Sequence, residues 1–302
     1  MRQADYSVRD REAAVTFFVP LWKRPGISLE LFDDYWRDVH GPVCARLPGQ
    51  FQYWQFHVEP NTGGYWPADI DTIDYHTDPD GQFDGIAELT FRSPADRTTW
   101  FQAAAILMDD EQNLFRRAIG YNTSPGNSQT LVDGFALGDR NGSTGGEEVM
   151  VMVRPRGDVS IEAFREFVLG QWGPALAANP WATKVRVHVF DEVDNTRPPA
   201  AGVEHAESPE KSYRGALHLG FASAIARRQF FASAAYRDTL AGQGAHLQSI
   251  ATFRFRDVYT FVYNGEMTLA GQRGSSVAQR IVEIGAINQL QPDVVALMLG
   301  RS

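Results

Sequence analysis

Apolar and polar positions follow two periods along this chain, one of two residues and one near 3.6, and they mark out an ordered set of elements. Ala13–Trp22 is almost wholly apolar, the pattern of a strand covered on both faces. Ser28 can cap a helix, and Phe32, Tyr35, Trp36 and Val39 then recur at helical spacing. The sequence therefore predicts a helix over Ser28–His40 that Gly41-Pro42 ends, with His40 on its last turn. Phe51–Val58 reads as a second strand. Phe83–Phe91 reads as a third, with Ala87, Leu89 and Phe91 on one face and Ile86, Glu88 and Thr90 on the other. A second helix opens at Pro94, carries Trp100, Phe101, Ile106 and Leu107, and extends to Phe115; Thr130–Val132 supplies a fourth strand.

The order β-α-β-β-α-β is a ferredoxin-like unit, and it occurs twice. Setting Phe17–Glu59 against Val149–Asp191 pairs Arg24 with Arg156, Ser28 with Ser160, Phe32 with Phe164, Gly41-Pro42 with Gly173-Pro174 and Pro48 with Pro180. Phe83–Ser93 lies likewise over Tyr213–Ser223. The frame repeats but the reactive groups do not, because His40 becomes Trp172 and Glu88 becomes His218. The expected organisation is an α+β chain of two tandem units packed sheet to sheet. Its parts are 1–137, a glycine-rich flexible linker 138–148, a diverged second unit 149–265 and a helical tail 266–302. The insertions Glu59–Gln82 and Asp191–Ser212, the latter with Pro198-Pro199, are too long for hairpins; the first reads as a lid or contact loop. In the tail Val277, Ile281, Ile284 and Ile287 fall at helical spacing, so it is expected to pack across the units or against a second chain.

Composition narrows the function. A net charge of -9 with no basic run argues against a nucleic-acid partner. There is no apolar run of membrane-spanning length and no signal-peptide pattern, and the single cysteine, Cys44, fits a reducing compartment, so the expectation is a cytoplasmic protein. Cys44 itself reads as core filler. No metal-ligand spacing or phosphate-binding glycine fingerprint occurs, and Asp78-Pro-Asp-Gly81 reads as a turn rather than a calcium loop.

Each unit's second sheet face needs cover, which a facing sheet provides, and the expected result is a barrel-like chamber between the sheets. Alternation points Trp22, Trp54, Phe56 and Glu88 into it from the first unit, and Arg154, Arg186, His188 and His218 from the second. His57 falls on the opposite face from Trp54, and only a bulge would re-aim it.

Several fragments together carry a resemblance: Arg24-Pro-Gly-Ile-Ser with Phe32, Tyr35-Trp36, His40-Gly-Pro and Leu47-Pro-Gly, then His57-Val, Phe83-Asp-Gly-Ile-Ala-Glu-Leu and Asp110-Glu-x-Asn-Leu-Phe. As a set they resemble the EthD family of dimeric α/β-barrel proteins. The resemblance implies relatives acting as cyclases, decarboxylases, dehydratases or cofactor-free oxygenases on aromatic compounds. It places the family's recurrent polar positions on His40, His57, Asp84 and Glu88. The reading is a cofactor-independent lyase, cyclase or dehydratase in which His40 or His57, paired with Glu88 or Asp84, moves a proton on a hydrophobic, aromatic or polyketide-like substrate. Trp22, Tyr35, Trp54, Phe56, Arg154, Arg186, His188 and His218 would hold that substrate. The competing readings are a haem-dependent oxidoreductase with His218 or His188 as axial ligand, a cofactor-free oxidoreductase, and a non-catalytic small-molecule-binding protein. A homodimer through the tail or loops is a further expectation.

Overall fold

The computed structural model describes residues 6–134, 140–143, 145–196 and 200–300. After helix α1 (Ser7–Glu12), the first unit contains β1 (Val15–Lys23), α2 (Leu29–Tyr35), a π-helical turn over Trp36–His40, α3 (Gly41–Ala45), β2 (Gln50–Val58), β3 (Gly85–Phe91), α4 (Pro94–Ala103), α5 (Ala105–Leu114), β4 (Phe115–Ala118), β5 (Tyr121–Asn122) and β6 (Ser128–Asp133). A short β7 (Asn141–Ser143) leads to the second unit: β8 (Glu147–Pro155), α6 (Ile161–Arg165), a π-helical turn over Glu166–Trp172, α7 (Gly173–Ala177), β9 (Ala182–Val189), β10 (Gly215–Phe221), α8 (Ala224–Ala232), α9 (Ala234–Arg237), α10 (Leu240–His246) and β11 (Leu247–Tyr263). The chain continues through β12 (Glu266–Met267), α11 (Leu269–Arg273), α12 (Ser275–Glu283) and α13 (Pro292–Met298).

The two expected units are present, and their sheets join in the order β4-β1-β3-β2-β11-β8-β10-β9-β6. Two corrections concern the fourth strands. In the first unit that strand starts at Phe115, where a helix was expected, and Ser128–Asp133 pairs with β9 of the second unit rather than with its own sheet. In the second, a single 17-residue strand pairs with β8 through Leu247–Arg254 and with β2 of the first unit through Phe255–Val262. The second unit's last strand thus begins in its own sheet and ends in the other, and Ser128–Asp133 crosses the opposite way, so the two sheets are hydrogen-bonded into one. The expected flexible linker is partly strand, since Asn141–Ser143 pairs with β11 and Glu147 opens β8. Residues 138, 139 and 144 of that linker and Pro198-Pro199 of the second insertion lie outside the described residues.

Gly41-Pro42 does not end the first helix. Pro42 has no N–H to donate one turn back, and the π-helical turn absorbs this loss: Gly41 N–H bonds to Trp36 C=O, and the chain stays helical to Ala45. The second unit repeats the device at Gly173-Pro174. Gly85 is needed where it stands because a Cβ there would come 2.4 Å from Trp36 Cζ3.

Helices cover the outer face of each sheet, giving one apolar core around Phe32, Trp36 and Phe91 and another around Phe164, Trp172 and Phe221. The insertions cross over. Trp66 and Ile73 from Glu59–Gln82 enter the second unit's core, where Trp66 packs edge-on to Trp172, Phe231 and Tyr236; Ala200 and Val203 join the first unit's core. In the tail Ala270 and Ala278 are buried on the first unit, while Val282, Ile284, Ile287 and Leu297 are exposed.

Candidate functional site

The space between the sheets is a packed core and not an open chamber. Phe18, Trp22, Trp54, Phe56, Phe83, Met150, Met152, Phe190 and Phe253 fill it, with the Phe83 and Phe253 rings 3.7 Å apart. Side-chain alternation holds there, but two sheets carrying this many large side chains interdigitate and fill most of the space between them. Beside Arg186 and Trp54 remains a cavity of about 10 Å³, room for one water. The other end has a cavity of about 200 Å³ lined by Trp22, Arg117, Arg154, Glu207 and Tyr213, with the Arg154 guanidinium over the Tyr213 ring.

The polar groups of this interior are spent on one another. Glu88 is buried and accepts from Arg186 Nε at 3.0 Å, with His188 Nε2 at 3.8 Å. Burial works to raise the Glu88 pKa, and Arg186 and His188 outweigh it, so the carboxylate lies below its usual range. His188 Nδ1 bonds Ser128 Oγ at 2.9 Å, and burial holds its pKa at about 3. His218 bonds Glu148 at 2.7 Å and also lies near enough to Glu88 for each to shift the other's pKa, and Glu148 takes Arg140 at 2.8 Å. Arg154 stands at the mouth. A haem ligated by His188 or His218 does not fit, because packed side chains occupy the space a macrocycle would need.

His40 and His57 lie on the opposite, helix-covered face of the first sheet. The expected pairing of either histidine with Glu88 is therefore not made; the sheet separates them. His40 Nδ1 bonds Asp110 Oδ2 at 2.8 Å, and Tyr35 donates to Asp110 Oδ1 at 2.8 Å. The hydrogen bond from His40 is the main reason the Asp110 pKa falls to about 2; the same carboxylate raises that of Tyr35. Tyr35, expected to hold substrate, instead orients this carboxylate. The π-helical turn is the local cause of the arrangement, since it widens the helix where His40 must turn inward from its end. His40 then lines a cavity of about 40 Å³ together with Phe17, Trp36, Tyr53, Leu89, Glu111 and Phe115.

His57 Nδ1 bonds Asp33 Oδ1 at 2.7 Å, its ring stacks on Trp36 at 4.6 Å, and Arg256 binds the same Asp33 carboxylate. Burial lowers the His57 pKa, opposed by Asp33. Burial also works to raise Asp33, but the hydrogen bonds from His57 and Arg256 win and hold it low. Asp84 accepts from Lys23 N–H at 2.8 Å, and its burial raises its pKa; it neighbours the Asp33 cluster rather than His40.

Sequence reasoning missed Asp110, Glu111 and Tyr53. Asp110-Glu111 belongs to a quoted fragment, but the partner His40 sits on another helix and spacing does not connect them. Glu111, which lines the cavity, bonds His205 at 2.6 Å, and His205 comes from the second unit's insertion, so one lining residue is held from the other repeat. In the second unit the equivalent space is closed by Trp172 and Trp66, and no histidine takes the place of His40.

The model of the EthD domain matches residues 24–118, a span that includes most of the residues lining the His40 cavity. In that span the chain is similar to EthD domains, and the second unit lies outside the match. No curated protein sequence matches the chain. Among solved structures, an anthrone oxidase-like protein aligns with a TM-score of 0.50 and 10% identity, over 86% of this chain and 98% of its own. A Lactobacillus acidophilus NCFM protein provisionally described as a monooxygenase gives 0.48 and 10%, over 84% and 98%. The fold is that of the dimeric α/β-barrel proteins, here made by one chain. Among the described residues no group of three or more His, Cys, Asp or Glu side chains converges as a metal site, and no helix is long and apolar enough to cross a membrane.

Proposed function

We propose that this protein is an enzyme whose reaction begins with removal of a proton from a planar, hydrophobic small molecule by His40. The observation that carries this reading is the His40–Asp110 pair on a cavity otherwise walled mostly by aromatic and aliphatic side chains. Asp110 fixes the ring and the proton on Nδ1, which leaves Nε2 as the nitrogen able to take a proton from a substrate. As His40 becomes an imidazolium, the adjacent carboxylate stabilises the new charge. The same step starts an elimination, a ring closure through a carbanion, or the reaction of a stabilised carbanion with molecular oxygen. The reading therefore covers both the lyase-type and the cofactor-free oxygenase chemistry expected from the EthD resemblance.

At about 40 Å³ the cavity is closed to any such substrate, since ligand sites are roughly 300–1,000 Å³. Opening falls to the segment of the second unit that carries Ala200, Val203 and His205, which lies over the first unit's core.

Anthrone, planar and acidic at its methylene carbon, is a suitable probe because one fold neighbour bears the name anthrone oxidase-like. Loss of the C–H proton to His40 leaves an enolate that oxygen attacks, and overall anthrone plus O2 gives anthraquinone plus water. The wild-type protein should accelerate anthraquinone formation, and His40→Gln should lower that rate by ~10²–10⁴. Equal rates for the two proteins would refute the proposal.

A further inference from the structure

A chain of hydrogen bonds ties His57 to the cavity through Gln55, and its donors and acceptors can be assigned one by one. Gln55 Nε2 lies 3.0 Å from the Trp36 carbonyl and 2.8 Å from Tyr53 Oη. A carbonyl can only accept, so the amide nitrogen must face it, and the second N–H of that nitrogen is donated to Tyr53. Gln55 Oε1 is then left facing His57 Nε2 at 3.3 Å. Two acceptors do not bond, so Nε2 must carry a proton. The other ring nitrogen faces Asp33, a carboxylate already held by Arg256, and must carry one too.

The consequence reaches the cavity. Tyr53 Oη accepts from Gln55, so the phenol proton points elsewhere, toward Cys44 or into the space it shares with His40. Burial raises the Tyr53 pKa well above its usual value, so the phenol keeps that proton. A thiol is a weak acceptor, and a substrate oxygen would take its place.

We propose that Tyr53 donates a hydrogen bond to the substrate's oxygen while His40 removes the proton, and that a His57 protonated on both ring nitrogens fixes this direction through Gln55. Placing a substrate there rests on the function proposed above; the direction of the chain does not. An oxygen that gains negative charge as the C–H proton leaves is the group such a donor stabilises. His57 touches no substrate and is a positioning residue. The charges facing it are Asp33 on α2 and Asp257 on β11 against Arg256 on β11, with the Trp36 ring stacked on its face. Burial opposes the second proton and on balance draws the His57 pKa below its ordinary value; what calls for the proton is the geometry, with an acceptor facing each ring nitrogen.

Nitrogen-15 NMR of histidine-labelled protein near neutral pH tests the direction without any substrate. Both His57 nitrogens should bear protons, with the signals identified by their loss in His57→Asn or, if that variant does not fold, by contacts to the Trp36 and Tyr259 rings. An unprotonated Nε2 would mean that the Gln55 amide is turned over and Tyr53 donates to it, which overturns the proposal. The donor itself is tested with para-nitrophenol, whose bound phenolate is read by absorbance. Tyr53→Phe should weaken phenolate binding roughly ten- to hundredfold. Equal affinities, or no binding to the wild-type protein, would remove Tyr53 from the role whatever the outcome with anthrone.

Discussion

Replacing Asp110 by Asn removes one charge from the His40 pair while keeping the side chain's shape. The folded-state pKa of Asp110 is about 2 against an ordinary 3.8. At 1.36 kcal/mol per tenfold change in proton affinity, that difference corresponds to ~2.4 kcal/mol. The side chain is 23% exposed, so solvent screening brings the expected loss to ~1 kcal/mol. The sign is fixed by the direction of the shift. A carboxylate with a lowered folded-state pKa contributes stability that is complete above 3.8 and disappears as pH falls through about 2. Urea unfolding followed by tryptophan fluorescence should show wild type more stable than Asp110→Asn by ~1 kcal/mol near neutral pH, with the gap closing toward pH ~2. A gap of the same size at both ends of that range would mean that packing, not the charge pair with His40, is what the substitution disturbs.

Three more outcomes follow from the packing. Glu88→Gln leaves the buried Arg186 charge with only the longer Asp10 contact at 3.4 Å and should cost ~2–4 kcal/mol in denaturation, with anthrone turnover per folded molecule unchanged; lost turnover at full stability would make Glu88 catalytic. Trp66→Ala should cost ~3–5 kcal/mol by opening the second unit's core, and a shift below ~1 kcal/mol would show that the crossing insertion only rests on the surface. The fragment Met1–Gly142 lacks β11 and β9, so β2 keeps β3 but loses its other neighbour and β6 loses the strand it pairs with; light scattering should show self-association, and a stable monomer would refute the strand exchange.

The duplicated βαββαβ frame was legible because burial repeats at fixed spacing, and Ala87/Leu89/Phe91 against Ile86/Glu88/Thr90 placed Glu88 on its true face. The filling of the interior was not legible. Alternation tells which way Phe56 or Met152 points, but whether Phe83 meets Phe253 or empty space depends on the separation of two sheets. The sequence predicts a helix as far as Phe115, and only the partners Leu21, Trp22 and Lys23 make Phe115–Ala118 a strand. The candidate site was half visible. His40 and Tyr35 were singled out, and the fragment containing Asp110 was quoted, but these residues come together only when α5 packs against the π-helical turn. Tyr53 gave no signal beyond a buried aromatic, since its role depends on what Gln55 and His57 do across the strand.

The strand exchange also governs when the molecule can take shape. The first unit is synthesised well before Phe255–Val262, the stretch that completes its β2 edge. A ribosome that has released the whole first unit has released an open sheet, with Trp54 and Phe56 still lacking the layer that covers them. Pairings that join opposite ends of a chain are slow to form and expose apolar surface meanwhile. Production of this protein is therefore expected to be more sensitive to translation rate and chaperone supply than its finished, continuous sheet suggests. Truncation anywhere before Tyr263 should affect the first unit as severely as the second.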